Sequence, residues 1–457
     1  MKALLRRTLA SLNARESGAS LALFRGMIAI LVAVSVARFE IYGWADSFFL
    51  RPRFFFSYPG FSWVKPPGPL ALHGLFLGVF LLTIPLALGW KTRLAAFGMF
   101  LGFLAIHLFD VTNYLNHYVL LLLLLAHAVL LPLGVPYGLD GRTKDGRWMT
   151  TSPRWPLRAL RFQVGIVYFF AGIAKANSDW LFHGQPLAIW LAAREGLPLV
   201  GPLFALPGAA LVMSWCGFLF DTSIPFLLSH PRLRRPAYVA VLFFHALTSY
   251  LFPIGLFPWI MVSAATVFFA PDWPLRLLAR RPVAGATVDA VEGPSGRGGE
   301  QLGRAALVAF ALHAVLQILV PLRTFATPGP VAWHEQGMRF SWRVMLREKN
   351  AAVTYLVEDL QTGRVREVPP REYLDDRQER EFATQPDLLL QLGSRIAADE
   401  AAAGRSVRVR VDAVASWNGR RMHRLVDDRI SLDRVGRDVP LAAWILPAPT
   451  EPPPSFK

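Results

Sequence analysis

The stretch from Arg161 to Trp190, RFQVGIVYFFAGIAKANSDWLFHGQPLAIW, decides how this chain folds. It begins as an apolar run typical of a membrane helix, which needs about 20 such residues. Lys175 lies in the last turn of that run, and the helix is predicted to stop at Asn177-Ser178-Asp179-Trp180. An ionisable side chain at membrane depth is costly, so Lys175 is a candidate functional residue by default.

Two interpretations of Lys175 are open. In the first, the lysine reaches up to the membrane interface and pairs with Asp179. In the second, it is a desolvated, neutral amine inside the helix bundle that acts as a base. Gly165, Tyr168, Gly172, Lys175 and Asp179 are spaced 3, 4, 3 and 4 residues apart, so they share one helix stripe. Small and polar residues on one stripe face neighbouring helices rather than lipid, which favours an interior position for Lys175.

The composition is that of a membrane protein. Of the 457 residues, 53% are hydrophobic and only 18% are charged, and the mean hydropathy is +0.36. Nine apolar segments are predicted to be helices, at residues 20–42, 70–89, 94–110, 117–134, 160–176, 206–228, 237–252, 254–270 and 303–321. The sequence therefore predicts an all-α polytopic membrane bundle of about eight or nine transmembrane helices over residues 20–321.

Charge decides the predicted orientation. The formal net charge is +16, but no basic helix or base-stacking motif accompanies it, so nucleic acid is not an expected partner. Basic residues concentrate in alternate loops, which places residues 1–19 in the cytoplasm as a tail and everything after Leu322 outside. The predicted location is the plasma (inner) membrane. The single cysteine, Cys216, excludes an intrachain disulfide and a cysteine-based metal cluster.

The composition becomes that of a soluble domain after Leu322. Residues 353–357 and 364–368 are predicted to form a β-hairpin. Residues 386–403 are predicted to be a helix ended by glycine, and the alternation in residues 407–414 (VRVRVDAV) predicts a half-exposed strand. We therefore expect a small extracytoplasmic (periplasmic) α+β domain over residues 322–449.

Three segments are predicted to depart from regular structure. Residues 283–302 are polar and glycine-rich, as in a flexible cytoplasmic linker. Residues 450–457, which include EPPPSFK, are predicted to be a disordered tail. The seventh and eighth apolar segments meet at Phe252-Pro253-Ile254-Gly255, and they form either two thin helices or one re-entrant pair.

A second polar group, residues 107–118 (HLFDVTNYLNHY), lies on the same predicted outer side as Lys175. Asn116 opens the fourth segment, where asparagine is a good helix cap, so either a capping or a functional role fits it. His117 is either an interfacial histidine without a function or part of a site. His107 and Asp110 lack the spacing of a metal site, and the helices lack the carboxylates of a di-iron bundle, so we expect no metal.

Two further groups complete the candidates. His245, Thr248 and Ser249 share a helix face that is predicted to point into the bundle, although a buried structural histidine is the simpler interpretation. The aromatic and basic residues 333–346 form either an amphipathic segment at the membrane interface or a lid over the outer mouth of the bundle. We find no hydrolase motif, phosphate-binding loop or dinucleotide fingerprint.

These groups together resemble a known family. VYFFAGIAKANSDWL at 167–181, TNYLNHYVLL at 112–121 and FFHALTSYLFPIGLFPW at 243–259 resemble the vitamin K-dependent γ-glutamyl carboxylase family. The last of these, together with HEQGMRFSWRVML at 334–346, is similar to the family's bacterial members, which carry a horizontally transferred transmembrane (HTTM) domain. The resemblance covers roughly residues 20–350 and preserves the order of the motifs.

The resemblance implies chemistry on a reduced quinone, either vitamin K hydroquinone or a menaquinol-like molecule. In the family, a buried lysine deprotonates the quinone and O2 adds. The oxygenated product then removes a γ-proton from a glutamate side chain, which takes up CO2 while the quinone leaves as an epoxide. By motif match, Lys175 is that base, and His117 with Asn116 supports carboxylation. Residues assigned to substrate or quinone binding are Tyr168, Asp179, Trp180, His245, Thr248, Trp342 and Arg343.

The implied partners are membrane lipid, a protein or peptide glutamate substrate and a quinone epoxide reductase. The chain departs from the animal enzymes in having Ala174-Lys175 where they have two lysines, and in a much shorter region after Asn350. One alternative is a transporter or lipid-binding protein in which His245 and the break at Pro253 line a path, but the inverted repeats of a transporter are not visible. Another is a quinone-binding or scaffold protein without catalysis.

Overall fold

The computed structural model describes residues 2–279, 302–432, 435, 439 and 443–454, so most of the predicted linker at 283–302 lies outside the described residues. The helices are α1 (Lys2–Asn13), α2 (Ala19–Ile41), α3 (Trp44–Phe49), α4 (Pro69–Leu88), α5 (Thr92–Leu108), α6 (Asn116–Leu130), α7 (Trp155–Ile173), α8 (Ser178–His183), α9 (Leu187–Ala192), α10 (Gly201–Phe204), α11 (Ala209–Ser229), α12 (Arg234–Leu251), α13 (Phe257–Ala265), α14 (Trp273–Leu278), α15 (Arg304–Leu322), α16 (Val331–His334), α17 (Asp376–Phe382) and α18 (Pro386–Ala402). The strands are β1 (Arg15–Ser17), β2 (Thr151–Pro153), β3 (Lys349–Asp359), β4 (Val365–Val368), β5 (Val407–Trp417) and β6 (His423–Arg424).

Each of the nine predicted apolar segments contains a helix, namely α2, α4, α5, α6, α7, α11, α12, α13 or α15. Within the described residues, four of these helices are long and apolar enough to cross a membrane: α2, α4, α11 and α15. The helices α5, α6 and α13 are apolar but shorter. The structure therefore supports a helical membrane protein. By length and composition, four of the described helices can cross a membrane, so the predicted eight or nine spans are not confirmed.

The membrane helices pack in two neighbouring groups. Helix α2 contacts α4, and α4, α5 and α6 follow one another, while α7 packs along α11. The side chains between them form one large apolar core. Helix α15 is the exception, since only 6% of its most apolar 18-residue window is fully buried, although it contacts α7 through the His313–Gln163 hydrogen bond.

The contact between α7 and α11 depends on a glycine of the stripe read from the sequence. A Cβ atom on Gly172 would lie 2.5 Å from Thr222 Cγ2 and 2.7 Å from the Thr222 backbone nitrogen. Further down the same helix, a Cβ atom on Gly165 would lie 3.4 Å from Pro225 Cβ, which is ordinary contact. Gly172 therefore sets the distance between the two helices at the end of α7 that carries Lys175.

The N-terminal tail and the seventh and eighth segments are more ordered than the sequence indicated. Residues 2–13 form α1, and β1 pairs antiparallel with β2, so the tail is tied to the loop before α7. Helices α12 and α13 are separate and are joined by residues 252–256, where Gly255 has a φ of 60°. The two helices have 18 and 9 residues, and whether each crosses the membrane or the two form a re-entrant pair stays a prediction.

The C-terminal domain, residues from Val331 onward, contains a four-stranded antiparallel sheet in the order β4-β3-β5-β6. The predicted hairpin, helix and strand correspond to β3 with β4, to α18 and to β5. Strands β3 and β5 pair along their full length, from Lys349 opposite Trp417 to Asp359 opposite Val407. Their inward side chains pack with α18 into a second apolar core, which confirms a small α+β region.

Part of the predicted disordered tail is instead packed against the rest of the chain. The Gln185 side chain donates a hydrogen bond to the backbone oxygen of Pro454 (3.2 Å), and Arg420 donates to that of Glu451 (2.7 Å). A proline-rich composition predicts only that the segment makes no helix or strand, and it carries no information about these contacts. Residues 455–457 lie outside the described part of the chain.

We expect Gly172→Ala to destabilise the membrane domain by about 1–3 kcal/mol, because the added methyl group must push α11 away. The matched control is Gly165→Ala on the same stripe, which adds the same methyl group at ordinary contact distance. Thermal unfolding of both variants in detergent measures the difference. Equal midpoints for the two variants would show that the helices do not approach as closely as described.

Candidate functional site

Lys175 is buried and forms an ion pair inside the membrane domain. Its side chain is 6% exposed, and its Nζ lies 2.6 Å from Asp221 Oδ2 on α11. Nζ also donates to the backbone oxygen of Ala171 (3.1 Å) and lies 5.3 Å from the centre of the Trp180 ring. The interior position favoured by the sequence is therefore confirmed, and the alternative of a lysine reaching out to the interface is wrong.

Lys175 occupies this position because α7 ends two residues before it. The chain turns at Ala174-Lys175, and Asn177 begins α8 by accepting a hydrogen bond from the Trp180 backbone at 3.1 Å. The lysine stem lies against α11 near Gly217, where a Cβ atom would be at ordinary contact distance, 3.9 Å from Lys175 Cε. The end of α7 therefore lets the amine turn toward Asp221 on α11.

Asp179 does not pair with Lys175, contrary to the first interpretation of the sequence. Its carboxylate accepts two hydrogen bonds from Arg420 and one from Asn418, each at 2.7 Å. Both partners belong to the turn after β5, and Asp179 and Arg420 are buried. Asp179 therefore joins the C-terminal domain to the short helix that follows Lys175, and we call this contact the interdomain latch.

Tyr168 and His245 are in direct contact. The Tyr168 hydroxyl lies 2.9 Å from His245 Nε2, and both side chains are buried. The other ring nitrogen of His245, Nδ1, has no hydrogen-bond partner among the described residues. Phe220, which precedes Asp221, packs against both rings at centroid distances of 6.0 and 6.3 Å. An aromatic cluster with one unpaired polar atom therefore adjoins the Lys175–Asp221 pair.

His117 is connected to this cluster through Phe257. The Phe257 ring centre lies 6.2 Å from that of His117 and 5.9 Å from that of His245. His117 is itself 8% exposed and stacks edge-on against Tyr118 at 4.6 Å. The structure thus brings both predicted histidines into contact with one phenylalanine.

Asn116 is not a helix cap. The residue in the capping position of α6 is Leu115, and no side chain there receives a capping hydrogen bond. Instead, Asn116 accepts from the Tyr114 hydroxyl (3.0 Å) and donates to the backbone oxygen of Arg343 (3.2 Å). It therefore holds residues 334–346 against the start of α6, next to His117.

Residues 335–346 are turns and irregular backbone rather than a helix, and the two interpretations, an interfacial segment or a lid, stay predictions. Trp342 is 2% exposed and is part of the apolar core of the membrane helices, with an indole nitrogen that lacks a partner among the described residues. Glu335, Phe340, Trp342 and Met345 all have positive φ angles, between 51° and 64°. Left-handed backbone at non-glycine residues is strained, and such strain concentrates at functional sites.

The loop before α6 is also held by the C-terminal domain. Asp110 accepts hydrogen bonds from the backbone of Thr112 (2.9 Å) and from Gln378 Nε2 (2.7 Å). Arg377 donates to Asn113 Oδ1 at 2.6 Å. Burial raises the pKa of Asp110 above the usual value, and the hydrogen bonds from Thr112 and Gln378 oppose that shift. Through these hydrogen bonds, helix α17 holds the loop that precedes Asn116 and His117.

Trp180 and Thr248 make contacts of different kinds. The Trp180 indole donates to the backbone oxygen of Ser214 (2.7 Å), so its ring is fixed beside Lys175. Thr248 is half-buried and its hydroxyl donates to the backbone oxygen of His245 in its own helix (3.2 Å), while Ser249 is exposed. The predicted inward orientation is therefore correct for His245 and wrong for Ser249. No group of three or more metal-ligating side chains was found in the described ranges.

Sequence reasoning missed three residues of this site. Asp221 is the single charged residue of α11, and an isolated carboxylate in an apolar run is a signal that was available. Arg420 and Asn418 gave no comparable signal, because charged and amide residues are common in surface turns. Their partner Asp179 lies more than 200 residues away in the sequence.

The fold and site define an integral membrane protein whose helix bundle holds a buried lysine–aspartate pair beneath a C-terminal α+β domain. Comparison with known families agrees with this class. The HTTM domain matches residues 13–273, more than half of the chain, and the lumenal domain of the vitamin K-dependent gamma-carboxylase matches residues 303–451. The chain therefore belongs to the vitamin K-dependent γ-carboxylase family. No solved structure matches it.

We expect Asp179→Asn to destabilise the protein by about 3–5 kcal/mol, because it leaves the buried Arg420 guanidinium without its counter-charge. The control is Asp399→Asn, which removes one partner of the exposed Arg395–Asp399 pair (2.9 Å) and costs at most about 1 kcal/mol. Thermal unfolding and limited proteolysis between the two domains report the effect. An equally small change in both variants would contradict the interdomain latch.

Proposed function

We propose that this protein is a γ-carboxylase-like membrane enzyme. It would couple the oxygenation of a reduced quinone, released as an epoxide, to proton abstraction from a glutamate-type side chain and its carboxylation. The observation that carries the proposal is the buried contact between Lys175 and Asp221 at 2.6 Å. The family match supports the same class of reaction and implies vitamin K hydroquinone, O2 and CO2 as reactants.

Lys175 is the proposed base. A lysine accepts a proton only in its neutral form, and Asp221 Oδ2 at 2.6 Å is close enough to take a proton from Nζ and give that form. The neutral amine accepts a proton at Nζ from an acidic O–H group of the bound reactant. The Ala171 carbonyl and Asp221 then fix the position of Nζ, and the Trp180 ring stabilises the ammonium that forms.

The residues around the pair fit a reduced quinone. A quinone head is a flat apolar ring with two oxygens, and the cluster offers the rings of Phe220 and Phe257 together with the unpaired His245 Nδ1. We propose that His245, Tyr168 and Trp180 hold the ring. When bound, the quinone supplies the reducing equivalents with which O2 is converted into a base strong enough for carbon deprotonation.

The glutamate-type acceptor is proposed to lie on the His117 side of Phe257. Asn116, next to His117, holds Arg343 by its backbone oxygen, and the indole N–H of the adjacent buried Trp342 has no partner among the described residues. Burial lowers the pKa of the Arg343 guanidinium. The backbone oxygen of Arg343 accepts the hydrogen bond from Asn116. These residues exclude water from the side of the site that faces the C-terminal domain, which protects a carbanion from protonation.

We further propose that the nine apolar helices predicted from the sequence all cross the plasma membrane, with the N-terminus in the cytoplasm and the C-terminal domain outside. A reporter fused after Leu322 that is active only outside the cytoplasm is then expected to be active, and one fused in the loop after α11 inactive. The alternation of basic loops is the physical reason. If only a reporter that works in the cytoplasm is active when fused after Leu322, the proposed orientation is wrong.

We expect Lys175→Met to lower epoxide formation by about 10²–10⁴-fold, the usual contribution of a general base. The measurement supplies purified protein with vitamin K hydroquinone or menaquinol and O2, and follows the epoxide together with labelled CO2 incorporated into a glutamate peptide. An absence of epoxide from the wild type would remove the quinone proposal. Equal epoxide from both proteins would remove Lys175 as the base.

A double variant separates chemistry from folding. Lys175→Met alone leaves Asp221 as an unpaired buried group, whereas Lys175→Met with Asp221→Leu replaces the whole pair by apolar side chains. Such replacements are often neutral or stabilising. The double variant is expected to match the wild type in thermal stability and to remain inactive. Activity in a stable double variant would contradict the role of the pair.

A further inference from the structure

Arg38 lies in the last turn of α2, and its guanidinium has no hydrogen-bond or ion-pair partner among the described residues, although its side chain is half-buried. Arg25 on the same helix differs, because it donates to four backbone oxygens. Arg161 on α7 likewise donates to the backbone oxygens of Val267 and Phe269. Arginines inside a membrane domain are normally paired in this way, so Arg38 calls for an explanation.

The acidic residues that follow Arg38 in the chain contact another side chain. Glu40 and Asp46 both pair with His73, at 2.9 and 3.2 Å. Arg38 is instead covered by an aromatic ring, since its Cζ lies 5.0 Å from the centre of the Trp44 ring. A contact of this kind uses the flat face of a guanidinium and leaves the N–H groups at its edge free for a planar anion such as a carboxylate.

Arg38 lies near His117. It is close enough to His117 and to Tyr118 for its charge to act on both side chains. A Cβ atom on Gly255, in the turn between α12 and α13, would lie 3.9 Å from Arg38 Nη1. The same turn leads into Phe257, whose ring contacts that of His117. The end of α2, the start of α6 and this turn therefore bring a guanidinium to the place where the acceptor is proposed to lie.

We propose that Arg38 binds the ionised carboxylate of the glutamate-type acceptor and selects acidic over neutral side chains. A guanidinium stays protonated and offers parallel N–H donors that match the two oxygens of a carboxylate. The inference rests on the proposed function, to which it adds the group that recognises the acceptor. Neither the family match nor the roles proposed for Lys175 and His117 assign anything to Arg38.

The same positive charge assists the proposed reaction. The carbon that loses its proton carries the carboxylate, so the electron pair left behind spreads onto the carboxylate oxygens and the side chain becomes doubly negative. A fixed positive charge at those oxygens stabilises this state more than it stabilises the substrate. The electron pair then forms one carbon–carbon bond to CO2, nothing leaves, and the product carries two carboxylates.

Acceptor binding is measured without quinone, so that it does not depend on turnover. A dansyl-labelled peptide with one glutamate, and its twin with glutamine, are titrated with purified full-length protein in detergent, and fluorescence anisotropy gives both dissociation constants. The wild type is expected to prefer the glutamate peptide at least about tenfold, the usual effect of a hydrogen bond to a charged group. Arg38→Gln is expected to bind the two peptides equally.

The matched control is Arg51→Gln, which removes the same charge from an exposed position after α3 and is expected to keep the wild-type preference. Arg38→Lys keeps the charge but loses the planar fork, so we expect a preference between those of the wild type and Arg38→Gln. Loss of folding would weaken the binding of both peptides, whereas loss of the carboxylate site weakens only that of the glutamate peptide. Thermal unfolding identifies any unfolded variant, and if Arg38→Gln is unfolded, the preference of Arg38→Lys decides.

Turnover provides the second measurement. Arg38→Gln is expected to raise the glutamate-peptide concentration for half-maximal carboxylation at least about tenfold. The reduced-quinone concentration for half-maximal rate is expected to remain that of the wild type, because Arg38 acts on the acceptor alone.

The failures of the two proposals are distinguishable. A glutamate preference that Arg38→Gln loses, in a protein that forms no epoxide, keeps the carboxylate site and removes the quinone reaction. Carboxylation with the same glutamate dependence in Arg38→Gln and Arg51→Gln overturns the carboxylate site while the proposed function stands, and Arg38 then only stacks on Trp44. Equal binding of the two peptides by the wild type overturns the carboxylate site as well.

Discussion

The buried contact between Lys175 and Asp221 is the constraint on which the rest of the site depends. Two opposite charges taken out of water gain little unless their geometry is close and their remaining hydrogen bonds are satisfied. The 2.6 Å contact requires α7 and α11 to approach closely, which Gly172 allows. With Lys175 taken by Asp221, the neighbouring Asp179 needs another partner, and the C-terminal domain supplies Arg420 and Asn418.

The C-terminal domain therefore contributes side chains that contact the segments of the candidate site. It holds α8 through the interdomain latch, and α17 clamps the loop before α6. Residues 334–346 place Trp342 inside the membrane core and meet Asn116 at Arg343. Each contact reaches a segment next to a proposed catalytic residue. The strained backbone of residues 335–345 shows that tertiary contacts hold this segment in place.

Much of the architecture follows from local pattern. Apolar runs located nine of the described helices to within about five residues, and alternation in VRVRVDAV located β5. The stripe of Gly165, Tyr168, Gly172 and Lys175 predicted an interior lysine because periodicity alone decides which residues share a helix face. The wrong predictions concern hydrogen-bond partners and the edge of a buried helix face. Asn116 has the chemistry of a cap, but its amide bonds with Tyr114 and Arg343 instead. Ser249 shares the face of His245 but lies at its exposed margin.

The sequence by itself determined that this chain is a helical membrane protein with a C-terminal α+β region, and that Lys175 is buried on a polar stripe. Those properties depend on hydrophobicity and period, which are local. Only the tertiary structure decided that Asp221 pairs with Lys175, that Arg420 pairs with Asp179, and that His117 and His245 both contact Phe257. An ion pair or ring contact between distant segments depends on distances of a few ångströms that packing sets, and no local pattern encodes them.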